Sequence, residues 1–307
     1  MEQAAEPILH EVGLRDGLQM EERVVPTETK LRWACELARA GVDILQLGSF
    51  VHPGRVPQMA DSDELFRLVG EELPHPRPVL AGLVLNRRGL ERGLACGVEL
   101  FCMGVSASET HSRRNVGRSI AEAQEEILAL ASEARAAGRR VQLSIQSAFG
   151  CGFEGPVPPE RVLAIADRYL EAGFTEISLA DTAGHADPWA VRDLIGKLRE
   201  RSSEIRLTVH LHNTYGYGLA NCVAALEAGA DVFETAVGGL GGCPFTKRPG
   251  GNVATEDWIH LLQRRGGAKN YDLQRLIGVA RDMAAVLGHP LPGIIHQTGP
   301  IGGGVGG

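Results

Sequence analysis

One alternation constrains this chain more than any other feature. From residue 8 to residue 237, short apolar runs rich in β-branched residues take turns with stretches whose apolar residues recur three and four apart, the periods of buried strands and amphipathic helices. The runs are Ile8 to Val12, Ile44 to Leu47, Pro78 to Val84, Leu100 to Val105, Val141 to Gln146, Glu176 to Leu179, Leu207 to Leu211 and Val232 to Val237. The helical stretches are clearest in Ser119 to Ala137, Pro159 to Ala172 and Pro188 to Arg201. Several end on an Ala-Gly pair just before the next run (Gly41, Gly138, Gly173, Gly229), where a glycine can take the left-handed conformation that closes a helix. Eight such units in roughly 260 residues match a closed parallel (β/α)8 barrel. A doubly wound sheet usually shows fewer strands and a glycine-rich phosphate fingerprint after the first, and no GxGxxG follows the first run here. The expected organisation is one catalytic TIM-barrel domain over residues 1–298. The barrel itself takes about 7–265, followed by a helical extension at about 270–290, clearest from Leu273 to Leu287. The tail GPIGGGVGG, residues 299–307, cannot bury apolar surface and is expected to be flexible.

Composition narrows the class of partner. The 307 residues are 44% hydrophobic, enough to bury a full core, and the formal charge of -7 is spread without a basic stripe, which argues against nucleic acid. No apolar run approaches the roughly 20 residues of a membrane-spanning helix. The segment MEQAAEPILH lacks the basic-then-apolar layout of a signal peptide, so a cytoplasmic location is expected. Six cysteines without a CxxC pair suggest reduced thiols rather than a disulfide scaffold or a structural zinc site.

In a barrel of this kind, chemistry belongs at the C-terminal ends of the strands and in the loops after them. Unusual polar residues gather there: Glu11, Arg15 and Asp16 after the first strand, Gln46 and Ser49 at the second, Ser147 after the fifth, and Asp181 after the sixth. At the seventh, HLHN places His210 and His212 on one side of an extended segment, at metal-ligand spacing. The eighth is followed by GGLGGCPFTKRPGGNVATED, where Cys243 sits in a loop so rich in glycine that it reads as a lid. Each residue alone has an ordinary structural explanation; their convergence on one rim does not. Two imidazoles with the Asp16 carboxylate and the Asn252 amide suit an octahedral Mg²⁺ or Mn²⁺ better than a tetrahedral thiolate site.

The segments EVGLRDGLQMEE, SFVHPGRVPQMAD, QSAFGCGFEG, SLADTAG, HLHNTYGYGLAN and GGLGGCPF with GNVATED, in this order, resemble the 3-hydroxy-3-methylglutaryl-CoA lyase family over roughly residues 7–290. RDGLQ is shared with related synthases, whereas GGLGGCP with the distal GN-ATED marks the lyase branch. The resemblance implies a barrel enzyme that cleaves an acyl-CoA thioester by a retro-Claisen reaction. It implies that Asp16, His210, His212 and Asn252 hold the divalent cation and that Arg15 neutralises the developing enolate. Asp181 and His210 would handle protons, and Cys243 would close over the substrate with the lid. Substrate contacts are expected from Glu11, Gln19, Gln46, Ser49 and Ser178, and a homodimer is the expected assembly. Three departures bear on the substrate: Gln46 stands where the best-known lyases carry glutamate, Asn213 where they carry aspartate, and Lys247-Arg248 add cations to the lid. These leave citramalyl-CoA open as an alternative acyl group. A Claisen-condensing synthase of the isopropylmalate or homocitrate type, and a metal-binding barrel without catalysis, are the competing readings.

Overall fold

The eight runs become eight strands in the computed structural model, which describes residues 6–73, 75–242 and 251–302. In chain order the elements are β1 (Ile8–Glu11), α1 (Thr27–Arg39), β2 (Ile44–Ser49), α2 (Ser62–Glu72), β3 (Val79–Leu83), α3 (Arg87–Ala95) and β4 (Leu100–Ser106). Then come α4 (Glu109–Val116), α5 (Ile120–Ala136), β5 (Arg140–Gln146), α6 (Pro159–Glu171), β6 (Glu176–Ala180) and α7 (Pro188–Arg201). The chain continues through β7 (Arg206–His210), α8 (Gly218–Glu227), β8 (Val232–Thr235), α9 (Thr255–Arg264), α10 (Leu273–Leu287) and α11 (Ile295–Thr298). Each strand pairs in parallel with the next, and β8 returns to β1 with Ile8 opposite Val232 and Glu11 opposite Thr235, closing the barrel.

Local chemistry explains the boundaries. The four glycines read as helix stops all have positive φ, from 74° at Gly138 to 91° at Gly41. Helix α5 starts with a capping box in which Ser119 and Glu122 satisfy each other's backbone N–H groups. Helix α7 starts on Asp187, whose carboxylate accepts from the N–H groups of Trp189 and Ala190, with Pro188 at the first helical position. Helix α4 was not foreseen: ETHSRRNV has no apolar stripe, and Ser108 caps it by accepting from His111 N–H.

Two apolar bodies result from strand alternation. Outward residues such as Phe101 and Phe233 pack with Trp33, Leu37, Tyr169 and Trp258 of the helices, while Ile44, Ala81, Leu100, Cys102 and Val232 form a separate small cluster. His10, Gln46, Gln142, Thr208 and Glu234 are also buried, although they are polar. The barrel interior therefore changes from hydrocarbon to hydrogen-bonding groups, and this polar layer underlies the site. Outside, α10 packs on α1 and on the turn Val237–Gly239 that follows β8. The chain after α10 locks onto the same turn, where Gly293 N–H donates to the Gly238 carbonyl at 2.8 Å. Of the expected tail, residues 303–307 lie outside the described residues.

Two glycines separate packing from propensity. A Cβ at Gly104 in β4 would lie 2.3 Å from the Ser144 carbonyl oxygen of β5, so Gly104→Ala is expected to cost about 1–3 kcal/mol as an overpacked barrel wall. At Gly196 in α7 nothing lies within 4 Å, and Gly196→Ala is expected to stabilise by about 0.5–1 kcal/mol. Urea unfolding midpoints of the two variants check both signs.

Candidate active site

The first strand ends in an unusually tight turn. The Val12 carbonyl accepts from the N–H groups of Arg15, Asp16 and Gly17 at 3.0, 2.8 and 3.3 Å, winding residues 13–17 into one π turn. Glycine is required on both sides of it: a Cβ at Gly13 would lie 2.6 Å from Glu11 Oε1, and one at Gly17 would lie 2.8 Å from Leu240 Cβ. The turn sets Arg15 and Asp16 side by side on the barrel mouth, Arg15 Nη1 donating to Asp16 Oδ1 at 2.5 Å and Gln19 Nε2 to the same oxygen at 3.0 Å.

Strand β7 delivers the two histidines. His210 is its last residue, and His212 lies two residues on, in an isolated antiparallel bridge with Asn252. That bridge is formed by the chain returning from the glycine-rich loop: Asn213 N–H donates to the Gly251 carbonyl and Val253 N–H to the Leu211 carbonyl. The return brings Asn252 Nδ2 to 2.8 Å from Asp16 Oδ2, across 236 positions of sequence. The Nε2 atoms of His210 and His212 face each other at 3.1 Å, and His210 Nε2 is 3.8 Å from Asp16 Oδ2. One ligand atom from each of Asp16, His210 and His212 falls within 4.8 Å of the others. Gly241, at φ +96°, closes the group so tightly that a Cβ there would lie 2.6 Å from Asn252 Nδ2.

The charge states of Asp16 and His212 suit a cation. Burial works to raise Asp16, but Arg15, the two imidazoles and the Asn252 amide outweigh it and hold the carboxyl at about 2. Burial, reinforced by His210, pushes His212 down to about 3, so its ring is neutral. For His210, burial is outweighed by Glu234 and Asp16, and its pKa is raised. Asn252 Oδ1 and His212 Nδ1 are buried without a hydrogen-bond partner among the described residues. An ionised carboxylate, a neutral imidazole and an unpaired amide oxygen are what a divalent cation requires of its ligands.

The other expected residues divide into two groups. Gln19 and Gln46 line a cavity of 390 Å³ together with Arg15, Asp16, His210 and His212. The Gln46 amide is already engaged: its oxygen accepts from Arg15 Nε, and its nitrogen donates to Cys102 Sγ at 3.2 Å. Its first visible task is thus to hold Arg15. Glu11 lies behind the wall, its oxygens taken by the N–H groups of Gly13 and Val237 and the hydroxyl of Thr255, with burial raising its pKa to about 7. Ser49 and Ser178 are buried, their hydroxyls without a hydrogen-bond partner among the described residues, and neither lines that cavity. Asp181 follows Ala180, which lines the cavity, but is itself fully buried, with Oδ1 accepting from Ala186 N–H and burial raising its pKa to about 7. Cys243, Lys247 and Arg248 lie outside the described residues.

Sequence reasoning missed the inner polar layer. Glu234, Gln142, Ser144 and Cys102 line the cavity, as do His111 and Asn115 of α4. The available signal was a charged or amide residue at an inward position of an otherwise apolar strand, Glu234 in VFET and Gln142 in RVQLSIQ. A second cavity of 540 Å³ adjoins the first, sharing Val51, Val56, Leu85, Asn115 and Gln146, and carries Arg55 and Arg118.

Known proteins resemble this chain in sequence and fold. The HMGL-like family pattern matches residues 6–283. A hydroxymethylglutaryl-CoA lyase of Bacillus subtilis is 36% identical over 284 residues, 92% of this chain and 94% of that protein. An (R)-citramalyl-CoA lyase of Chloroflexus aurantiacus is 39% identical over 298 residues, 95% of this chain and 94% of that protein. An HMG-CoA lyase structure from Acinetobacter baumannii, in complex with coenzyme A and 3-methylmalate, superposes with a TM-score of 0.93 at 32% identity, covering 99% of this chain and 98% of that one.

Removal of one ring tests the ligand set. His212→Ala is expected to abolish Mn²⁺ binding, whereas His260→Ala on the outer helix α9 is expected to leave it intact. Calorimetric titration of both variants decides this, and equal affinities would sink the assignment.

Proposed function

The chain belongs to the HMGL-like family, and from that premise we propose that it is a divalent-cation-dependent carbon–carbon lyase that cleaves a 3-hydroxy-3-methylglutaryl-CoA-like thioester into acetyl-CoA and acetoacetate. The observation that carries this reading is the convergence of Arg15, Asp16, His210 and His212 on one cavity, with Asn252 joined to Asp16. Asp16, His210 and His212, with Asn252 through Oδ1, would hold the cation, Mg²⁺ or Mn²⁺. When bound, it supplies Lewis acidity that makes a tertiary alcohol easier to deprotonate.

The chain's own groups account for the rest of the chemistry. In the cleavage the alcohol at C3 loses its proton, the C2–C3 bond breaks, and its electron pair moves onto the thioester as an enolate. Protonation at C2 then gives acetyl-CoA, and C3 remains as the ketone. Arg15 meets the enolate oxygen: Nε is held by Gln46 and Nη1 by Asp16, so Nη2 is the part of the fork left for substrate. A guanidinium fixed beforehand stabilises this charge without reorganising. His210 has Nδ1 committed to Glu234, so Nε2 cannot both hold a cation and accept a proton. That leaves Asp181 Oδ2, which has no hydrogen-bond partner among the described residues and belongs to a carboxyl raised to about 7, as the proposed holder of the alcohol proton. Hydrogen bonds of this kind tighten when substrate binds. Cys243 is proposed to join from the lid. The 540 Å³ cavity, with Arg55 and Arg118, offers the adjoining space that a long anionic thioester needs.

A second acyl group has specific support. The (R)-citramalyl-CoA lyase is 39% identical to this chain, and the same bond cleavage on citramalyl-CoA releases pyruvate instead of acetoacetate. A cytoplasmic homodimer is the proposed setting, on the tendency of barrel enzymes to pair about a two-fold axis.

Two measurements test the proposal. Purified protein with Mg²⁺ is expected to release acetoacetate and acetyl-CoA from 3-hydroxy-3-methylglutaryl-CoA; release of pyruvate from citramalyl-CoA alone would move the substrate to the second reading, and no product from either would remove the lyase. Arg15→Lys is expected to lower kcat by about 10²–10³ with KM nearly unchanged, the loss typical of one oxyanion donor. Steady-state kinetics reads both constants, and near-normal turnover would take Arg15 out of the mechanism.

A further inference from the structure

Glu234 is a buried carboxylate that neither the ligand set nor the cleavage chemistry uses. It stands on β8, where the parallel register sets it opposite His10 of β1 on one side and His210 of β7 on the other. Its oxygens divide between separate tasks. Oε2 lies 2.9 Å from His210 Nδ1. Oε1 accepts from Gln142 Nε2 at 2.5 Å and lies 3.5 Å from His10 Nδ1. Gln142 is held in turn, since its oxygen accepts from the Thr208 hydroxyl at 3.2 Å. The carboxylate is only 6% exposed, so every one of these partners meets it away from bulk water.

We propose that Glu234 is a positioning residue for the cation site: it keeps the proton of His210 on Nδ1 and fixes the plane of the ring, so that the Nε2 lone pair points toward Asp16 and His212. An imidazole has two nitrogens, and the one facing a carboxylate carries the proton, which leaves the other as an acceptor. Gln142 and Thr208 keep the carboxylate from rotating away. A purely structural role would be served better by hydrocarbon, because desolvating a carboxylate at the centre of a barrel is costly and a well-packed apolar group there is often neutral or stabilising. The inference rests on reading Asp16, His210, His212 and Asn252 as ligands of a divalent cation.

The test is Mn²⁺ titration by calorimetry of chelator-treated wild-type protein, Glu234→Ala and Glu234→Gln, each first shown to be folded by circular dichroism. Partners of a ligating histidine are typically worth 10–100-fold in affinity. Glu234→Ala is therefore expected to bind Mn²⁺ about 10–100-fold more weakly. Glu234→Gln keeps one acceptor for two donors, His210 and Gln142, and is expected to fall between the alanine variant and wild type. Because the defect lies in holding the ion, saturating Mn²⁺ is expected to restore most of the turnover of either variant. Affinity within two-fold of wild type in the variants that fold would overturn the role of Glu234, including the case in which only Glu234→Gln folds. Absence of Mn²⁺ binding by the wild-type protein would instead overturn the cation site beneath it.

Discussion

Closure of the sheet between β8 and β1 is the contact on which the site depends. Asp16 and Asn252 lie near opposite ends of the chain, yet they hydrogen-bond at 2.8 Å because β1 pairs with β8 along its whole length. The same pairing sets His10 beside Glu234, and the β7–β8 pairing sets His210 on its other side. Parallel strands bring all their C-terminal ends to one rim, so each strand can contribute one or two groups there without disturbing the core around it. An open sheet with the same strands would leave the Arg15-Asp16 turn and the histidines on separate edges.

Burying so many ionisable groups in a small volume is tolerated because each charge has an opposite neighbour or is neutral. Arg15 sits against Asp16, and His210 against Glu234 and Asp16. Burial drives His10 down to about 4 and outweighs the pull of Glu234, so that ring is neutral. Burial also works against the Glu234 carboxyl, but His210 and His10 overcome it and hold the group at about 2. Gln46 fits this balance. An amide there orients Arg15 without adding a second carboxylate to its guanidinium, so among the described residues Asp16 is the carboxylate that pairs with Arg15.

The C-terminal extension acts on the stem of the glycine-rich loop. Leu291 lies where a Cβ at Gly238 would fall, at 2.3 Å, and Pro292 lies 3.2 Å from the corresponding points at Gly239 and Gly251. Glu256 accepts from Gly238 N–H with one oxygen and pairs with His296 of α11 through the other. The glycines described at the stem thus leave room for the side chains of Leu291 and Pro292. Helix α10 and the segment after it hold the two ends of the loop, Val237–Gly239 and Gly251–Val253, in one place.

The sequence by itself determined the barrel. Eight β-branched runs, the helical periodicity between them and the glycine stops at 41, 138, 173 and 229 are local properties, set by backbone sterics and by which face of a segment must be buried. It also marked Asp16, His210 and His212, because polar residues at strand ends in a parallel sheet must share a rim, and Asn252 as an amide beyond the glycine-rich loop. The tertiary structure alone decided which of those polar groups meet. Glu11 and Asp181 stand at strand ends as Asp16 does, but both oxygens of Glu11 are taken up within the wall and one oxygen of Asp181 accepts from Ala186 N–H, an outcome of the π turn and of the β6–α7 turn that periodicity does not encode. Glu234 and Gln142 read as isolated polar residues in apolar strands. Only the register of β8 against β7 and β1, a relation between residues far apart in the chain, sets one carboxylate beside two imidazoles and an amide.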